Sequence, residues 1–284
     1  MLKKLAIGEL KKKADYIRAN VVDISVKNGA GHIAPSLSSI DLLAALYYSI
    51  MDLSSNPQWE GRDRLVFSKA HGCYGVYAIL ADLGYIDKND WISFYKGSFL
   101  SGCLERSEEH GLEAGCGSLG HGLPQAVGLA FGARLQKKKF KTYCIVGDGE
   151  MQEGSNWEAM QFAVKHKLSN LVVIIDNNKL QAMDFLRNIL TPDNRKDDLK
   201  LKLKAFGCEV QKCDGHKPIE IINIIGNWAK ASNMIKKPRV LIADTIKGYG
   251  LMCMENVPKF HFRIPTKEEL MMGARYKGAR YKKH

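Results

Sequence analysis

The sequence predicts an α/β fold: a mostly parallel sheet with helices on both faces. Three observations carry that expectation. Short apolar, β-branched runs stand at Thr142–Val146 and Leu171–Asp176, as strands buried on both faces do, and further strands read near Cys208–Cys213 and over Arg239–Asp244. Segments of helical period and length separate them. The first two runs lead into Gly147-Asp148-Gly149 and Asn177-Asn178, and polar groups at the carboxyl ends of parallel strands are where such sheets bind ligands.

The elements follow in order. Leu10, Ala14, Ile17, Val21 and Ile24 recur in steps of four and three with lysines between them, which predicts an amphipathic helix over about Leu5 to Lys27. Asn28-Gly29 stops it. A segment from about Ser39 to Met51 is apolar nearly all round and reads as a buried helix. A third helix follows His71 and runs to Leu83, where Gly84 closes it. Asp87 to Gly122 is rich in Gly, Ser and charge and reads as a long functional loop. Pro124 opens a helix whose Gly128 and Gly132 sit one turn apart, suited to close packing either inside the chain or across a subunit interface. Ser155-Asn156-Trp157-Glu158 has capping-box spacing and opens a helix through about Lys165. Beyond the second run come a helix near Arg195 to Phe206, the strand near Cys208, a helix near Pro218 to Ala231 and the final strand.

With 284 residues and 45% apolar content, the chain reads as one domain over 1–270 with a basic tail over 271–284. No run approaches the roughly 18 apolar residues that span a membrane, and Met1-Leu2-Lys3-Lys4-Leu5 lacks the pattern of a signal peptide. Seven cysteines without a C-x-x-C pair point to reduced thiols in the cytoplasm rather than disulfides or zinc. The net charge of +12 is concentrated in part at Lys137, Lys138, Lys139 and Lys141 and in the tail. With no nucleic-acid-binding signature it reads as a solvated basic surface, so neither nucleic acid nor membrane is an expected partner.

The chemistry sits at the strand ends. Glycines let the backbone approach a phosphate, and Asp148 with the Asn177-Asn178 amides offers hard oxygens to a divalent cation. A GDG alone recurs by chance; paired with NN at this distance it is a specific signal.

These residues resemble the thiamine-diphosphate enzymes, and more narrowly the N-terminal half of transketolase. Gly31-His32-Ile33-Ala34-Pro35 looks like an early segment of that family, and Ser68-Lys69-Ala70-His71-Gly72 like its next histidine motif. Gly117-Ser118-Leu119-Gly120 resembles its cofactor loop, Asp148 to Gly154 its diphosphate turn, and Thr245 to Gly250 followed by His261 its last segment. The resemblance implies the thiamine-diphosphate-binding fold, with Mg²⁺ on Asp148, Asn178 and the backbone carbonyl of Leu180; Ca²⁺ or Mn²⁺ would substitute. It implies cofactor contacts from His71, Gly117, Ser118, Leu119, Gly149, Glu150, Asn178 and His261. His32 and His261 would point at the reacting carbon, and Glu153 and Glu158 match acidic residues between the two active sites of the family's dimer.

The chain departs from the family on the substrate side. His261 lies between Phe260 and Phe262 instead of Trp and Gly. A His-Pro-Glu segment is missing; His110 or His121 are the histidines nearest its place. The Ser-Gly…Arg-Ser-Glu…His run and His121 are reminiscent of deoxyxylulose-phosphate synthase. The glutamate that activates the aminopyrimidine lies, in this superfamily, in a second domain, and nothing after residue 270 would build one. The resemblance therefore implies one subunit of a split enzyme, a heterotetramer with a pyrimidine-domain subunit, transferring a two-carbon ketol unit between sugar phosphates. The alternative is a subunit of another thiamine-dependent carboligase or 2-oxo-acid decarboxylase.

Overall fold

The computed structural model describes residues 1–182, 184–189, 199–231 and 236–275. Strands β1 (Arg64–Phe67), β2 (Thr142–Gly147), β3 (Leu171–Asn177), β4 (Glu209–Asp214) and β5 (Arg239–Asp244) form one sheet in the order β1-β2-β3-β5-β4. Every pairing is parallel. β2, β3 and β5 are buried along their length except at the last residue, which is why they read as continuous apolar runs. Edge strand β4 buries Val210 and Cys213 and turns Gln211 and Lys212 outward, a charge-blunted edge.

β1 is a strand the sequence did not announce. It is four residues long and follows the charged Arg62-Asp63. Asp63 pins its start by accepting the N–H groups of Asp52 (3.0 Å) and Lys141 (2.7 Å), which sets β1 in register beside β2.

The helices are α1 (Ile7–Asn28), α2 (Ile33–Leu37), α3 (Ile40–Ala45), α4 (Tyr74–Asp82), α5 (Lys88–Ile92), α6 (Gly122–Leu135), α7 (Gly154–Lys165), α8 (Leu186–Ile189), α9 (Leu199–Ala205), α10 (Pro218–Lys230) and α11 (Lys267–Leu270). α1 buries the stripe read from sequence, and Gly29 at φ 82° closes it. α6 lies across β1, β2 and β3 and packs on α7; α1 packs with α3, α4 and α10. One apolar cluster runs from Leu10 in α1 to Leu270 in α11.

Several sequence expectations are corrected here. The apolar segment after Ser39 is α3 followed by a π-turn over Leu46–Ile50, not one helix. The Ile33–Ile50 stretch does reach membrane-span length and composition, at mean hydropathy 1.3 over 18 residues, against the expectation that no run does; 89% of it is buried in the domain's interior. The long loop contains α5. The helix with two glycines starts at Gly122, before Pro124. α7 starts at Gly154, and Ser155 does not cap it: its Oγ donates to the Gly120 carbonyl at 2.7 Å. The helix expected from Arg195 is described from Leu199, with 195–198 outside the described residues. Of the basic tail, 276–284 lies outside them, while Arg275 folds back with its N–H on the Gly250 carbonyl at 2.8 Å.

Candidate active site

β2 and β3 run in register with Gly147 opposite Asp176, so their carboxyl ends finish side by side. The Asp148 N–H donates to the Asp176 carbonyl at 3.2 Å. The Asp148 carboxylate is buried and accepts the N–H groups of Gly149 (2.8 Å) and Lys179. Lys179 at φ 65° turns the chain so that Asn178 Oδ1 accepts the Leu180 N–H at 3.0 Å. Asp148, Asn178 and Leu180 are thus brought together at the end of the two strands.

Burial, and next the Asp176 carboxylate, push the Asp148 carboxyl up to about 7. A carboxylate this costly to ionise is relieved by a cation placed on it. Among the described residues no group of three or more His, Cys, Asp or Glu is placed to hold a metal ion by side chains alone. One carboxylate with amide and carbonyl oxygens suits a hard ion that keeps water or phosphate ligands, not zinc.

Glu150 turns inward. Its carboxylate accepts from Ser68 Oγ, the Gly120 N–H (3.0 Å) and the Gly147 N–H (3.1 Å), tying the Gly117–Gly120 loop to the ends of β1 and β2; burial raises its carboxyl. Beside that tie, Gly117 and Ser118 are exposed and Leu119 half-buried. Gly120 at φ +81° closes the loop, and a Cβ there would lie 2.6 Å from Glu153 Cβ and Ser155 Oγ.

A buried ionic knot lies beneath. Lys69 donates to Asp176, Ser38 Oγ (3.1 Å) and the Pro35 carbonyl (2.9 Å), and Thr245 Oγ1 also donates to Asp176. Burial would raise the Asp176 carboxyl, yet the Lys69 ammonium and the hydroxyl donors hold it below the usual range. The knot links α2, the His71 turn and the ends of β3 and β5.

Above it, the His32, His71 and His261 rings meet pairwise at 5.3, 5.4 and 5.1 Å. Three loops remote in sequence supply them. Burial and nearby ammonium groups push His32 down to about 4, His71 to about 2 and His261 to about 3, so all three are neutral at pH 7. Lys247 Nζ lies 2.9 Å from His261 Nδ1 and 3.2 Å from the Gln181 carbonyl. Burial, then the Lys69 charge, lowers Lys247 to about 8. Still charged at neutral pH, it donates to Nδ1 and leaves the His261 proton on Nε2. The buried Nδ1 of His32 has no protein partner, an orphan polar atom in the cluster.

Other sequence-derived residues stand apart. Glu153 and Glu158 are exposed on α7 and its approach; neither joins the histidine cluster. His110 Nδ1 pairs with Ser107 Oγ at 2.7 Å and its ring stacks on Phe99 at 4.8 Å, outside the cluster, and His121 is exposed at the start of α6. The sequence reading missed Lys69, Asp176, Gln181 and Lys247 as site residues. The signal was the lysine beside each motif histidine or glycine, but only tertiary burial distinguishes these from surface lysines.

Residues 10–276 match the family profile described as transketolase, thiamine diphosphate binding domain. The chain is 38% identical to an apulose-4-phosphate transketolase subunit of Actinobacillus succinogenes, over 94% of this chain and 95% of that one. It is 36% identical to the 6-deoxy-6-sulfo-D-fructose transketolase subunit SqwG of Clostridium sp., over 92% and 93%. Its structure superposes on transketolase from Campylobacter jejuni with a TM-score of 0.82 at 29% identity, covering 94% of this chain and 42% of that one. The parallel sheet agrees with these matches, and the chain belongs to the transketolase thiamine-diphosphate-binding-domain family.

Proposed function

We propose that this chain is the diphosphate-binding subunit of a split, cytoplasmic transketolase, active with a pyrimidine-domain subunit as a heterotetramer. Its reaction is transfer of a two-carbon ketol unit between sugar phosphates. The observation that carries the reading is the buried Asp148 carboxyl beside Asn178, with Lys247 set between the Gln181 carbonyl and a cluster of neutral imidazoles. Relatives named as transketolase subunits, of nearly the same length, support the division into two chains.

Asp148, Asn178 and the Leu180 carbonyl would hold Mg²⁺, with Ca²⁺ or Mn²⁺ as substitutes. His71, Gly149 and the Gly117–Leu119 loop would hold thiamine diphosphate. When bound, the cofactor supplies the stabilised carbon nucleophile of ketol transfer. The neutral imidazoles of His32 and His261 donate hydrogen bonds to substrate oxygens as negative charge develops there. His261 presents Nε2–H because Lys247 occupies Nδ1. The exposed Glu153 and Glu158 would face the second active site across the assembly.

The test is calorimetry on the reconstituted complex, with uptake of thiamine diphosphate expected only when a divalent ion is present. Fructose-6-phosphate as donor should then yield erythrose-4-phosphate. Metal-independent uptake, or CO₂ release from pyruvate without ketol transfer, would overturn the reading.

A further inference from the structure

His216 stands just past β4, outside the cluster of imidazoles, and its bonds reach into the active site. Its Nδ1 lies 2.8 Å from Asp41 Oδ2, and its Nε2 accepts the Ile246 N–H at 2.9 Å. Because a carboxylate only accepts, Nδ1 carries the proton and Nε2 the lone pair. Asp41 is fixed in turn by Arg18 Nη2 at 2.7 Å. The His216 ring stacks on Tyr249 at 3.5 Å with planes 16° apart, and the Arg18 guanidinium lies over the same tyrosine. Gly215 permits the approach: a Cβ there would lie 2.5 Å from Thr245 Cγ2. Ile246 directly precedes Lys247, whose ammonium sets the proton on His261. The turn is held on its other side by the Gly248 N–H on the Ala34 carbonyl at 3.0 Å.

We infer that His216 is a positioning residue for ketol transfer: through the Ile246 N–H it sets the Thr245–Gly248 turn, and with it the Lys247 ammonium that orients His261. This rests on the function proposed above. The ring does not touch the reacting atoms. A rigid triad of Arg18, Asp41 and His216 spans α1, α3 and the β4 turn, and its last bond goes to the backbone beside Lys247. Small displacements of an orienting group cost rate more than binding.

Two substitutions separate this role from packing. His216→Asn keeps a donor for Asp41 and lacks the acceptor for Ile246, whereas His216→Gln restores an acceptor at the Nε2 position. ¹⁵N NMR of the full chain reads the His261 tautomer without any substrate or cofactor. The wild type and His216→Gln should show Nδ1 as acceptor and Nε2 protonated; His216→Asn should show mixed tautomers. In the reconstituted complex, kcat for His216→Asn should fall about tenfold with the donor KM within about threefold, and His216→Gln should recover most of it. An unchanged His261 pattern in His216→Asn overturns the inference. So does an equal loss of kcat in both variants that tracks an equal loss of melting temperature. If the wild-type complex transfers no ketol unit, the proposed function falls and the NMR comparison still decides the positioning role.

Discussion

At the scale of single residues, Asp148 lies buried at the candidate site and its burial opposes folding. Its carboxyl titrates near 7 in the fold, against 3.8 for an unperturbed group. At this group the folded state therefore binds a proton that the unfolded state has already released, and its contribution to stability falls as pH rises from about 4 through 7. A displacement of that size corresponds to at most roughly 4 kcal/mol. Because the three histidines held low by burial add the opposite slope below pH 6.5, the effect is read as a difference in urea unfolding of the metal-free proteins: Asp148→Asn should gain on wild type as pH rises from 4 to 7 and be the more stable at pH 8. The same variant should lose metal-dependent uptake of thiamine diphosphate. Parallel stability curves for the two proteins would refute the account. Lys247 obeys the opposite charge logic. Burial and the Lys69 charge lower it to about 8, so the ammonium is present below that pH and lost above it. Lys247→Met should weaken cofactor uptake by roughly tenfold at pH 7, and wild-type affinity should fall toward that of the variant as pH passes 8. A variant that binds as tightly as wild type at pH 7 would sink the role.

At the scale of elements, the Gly117–Gly120 loop and α7 are clamped at one glycine. Gly120 has φ +81° and no room for a Cβ against Glu153 and Ser155, so Gly120→Ala combines backbone strain with a steric clash. A cost of about 1–3 kcal/mol is expected, read as a lower urea midpoint, together with weaker cofactor binding because the Glu150 tie to the loop is broken. Unchanged stability would show the loop free to move. The same clamp explains what the sequence could and could not say. Ser155 has capping-box spacing, but its hydroxyl is taken by the Gly120 carbonyl, a contact between residues thirty-five apart. β2, β3 and β5 were legible because burial on both faces makes them apolar throughout. β1 was not, because its four residues follow charged ones and Asp63 anchors them through tertiary bonds. In the site, Asp148 and Asn178 were legible because their motifs are contiguous with the strands that hold them. Lys69, Asp176 and Lys247 were hidden, since a buried lysine and a surface lysine read alike until the fold surrounds one of them. Glu150, a motif position expected at the cofactor, uses its carboxylate to bind the protein's own loop, a contact between segments far apart in sequence that no local pattern announces.

At the scale of the whole molecule, the α6–α7 face decides between the two readings of Gly128 and Gly132. Among the described residues, nothing beyond its own helix and chain neighbours comes within 4 Å of where either glycine's Cβ would stand, which favours a surface left open for a partner over close packing within these elements. Phe131 and Phe162 join the two helices edge to face at 5.2 Å, and Phe162 and Leu135 are 41% and 67% exposed nearby. Glu158 on α7 and Glu153 just before it are exposed as well. If this face meets a second chain in the assembly, folding and association must respond to Gly132→Leu with opposite signs. Within the isolated chain the change replaces a poor helix former at an open position and should raise stability by about 0.5–1 kcal/mol. In the complex the added side chain stands where another backbone would approach, and light scattering should show the assembly dissociated or weakened at least tenfold, with ketol transfer lost in step. A variant that melts lower yet assembles normally would place the glycines in the service of the fold alone.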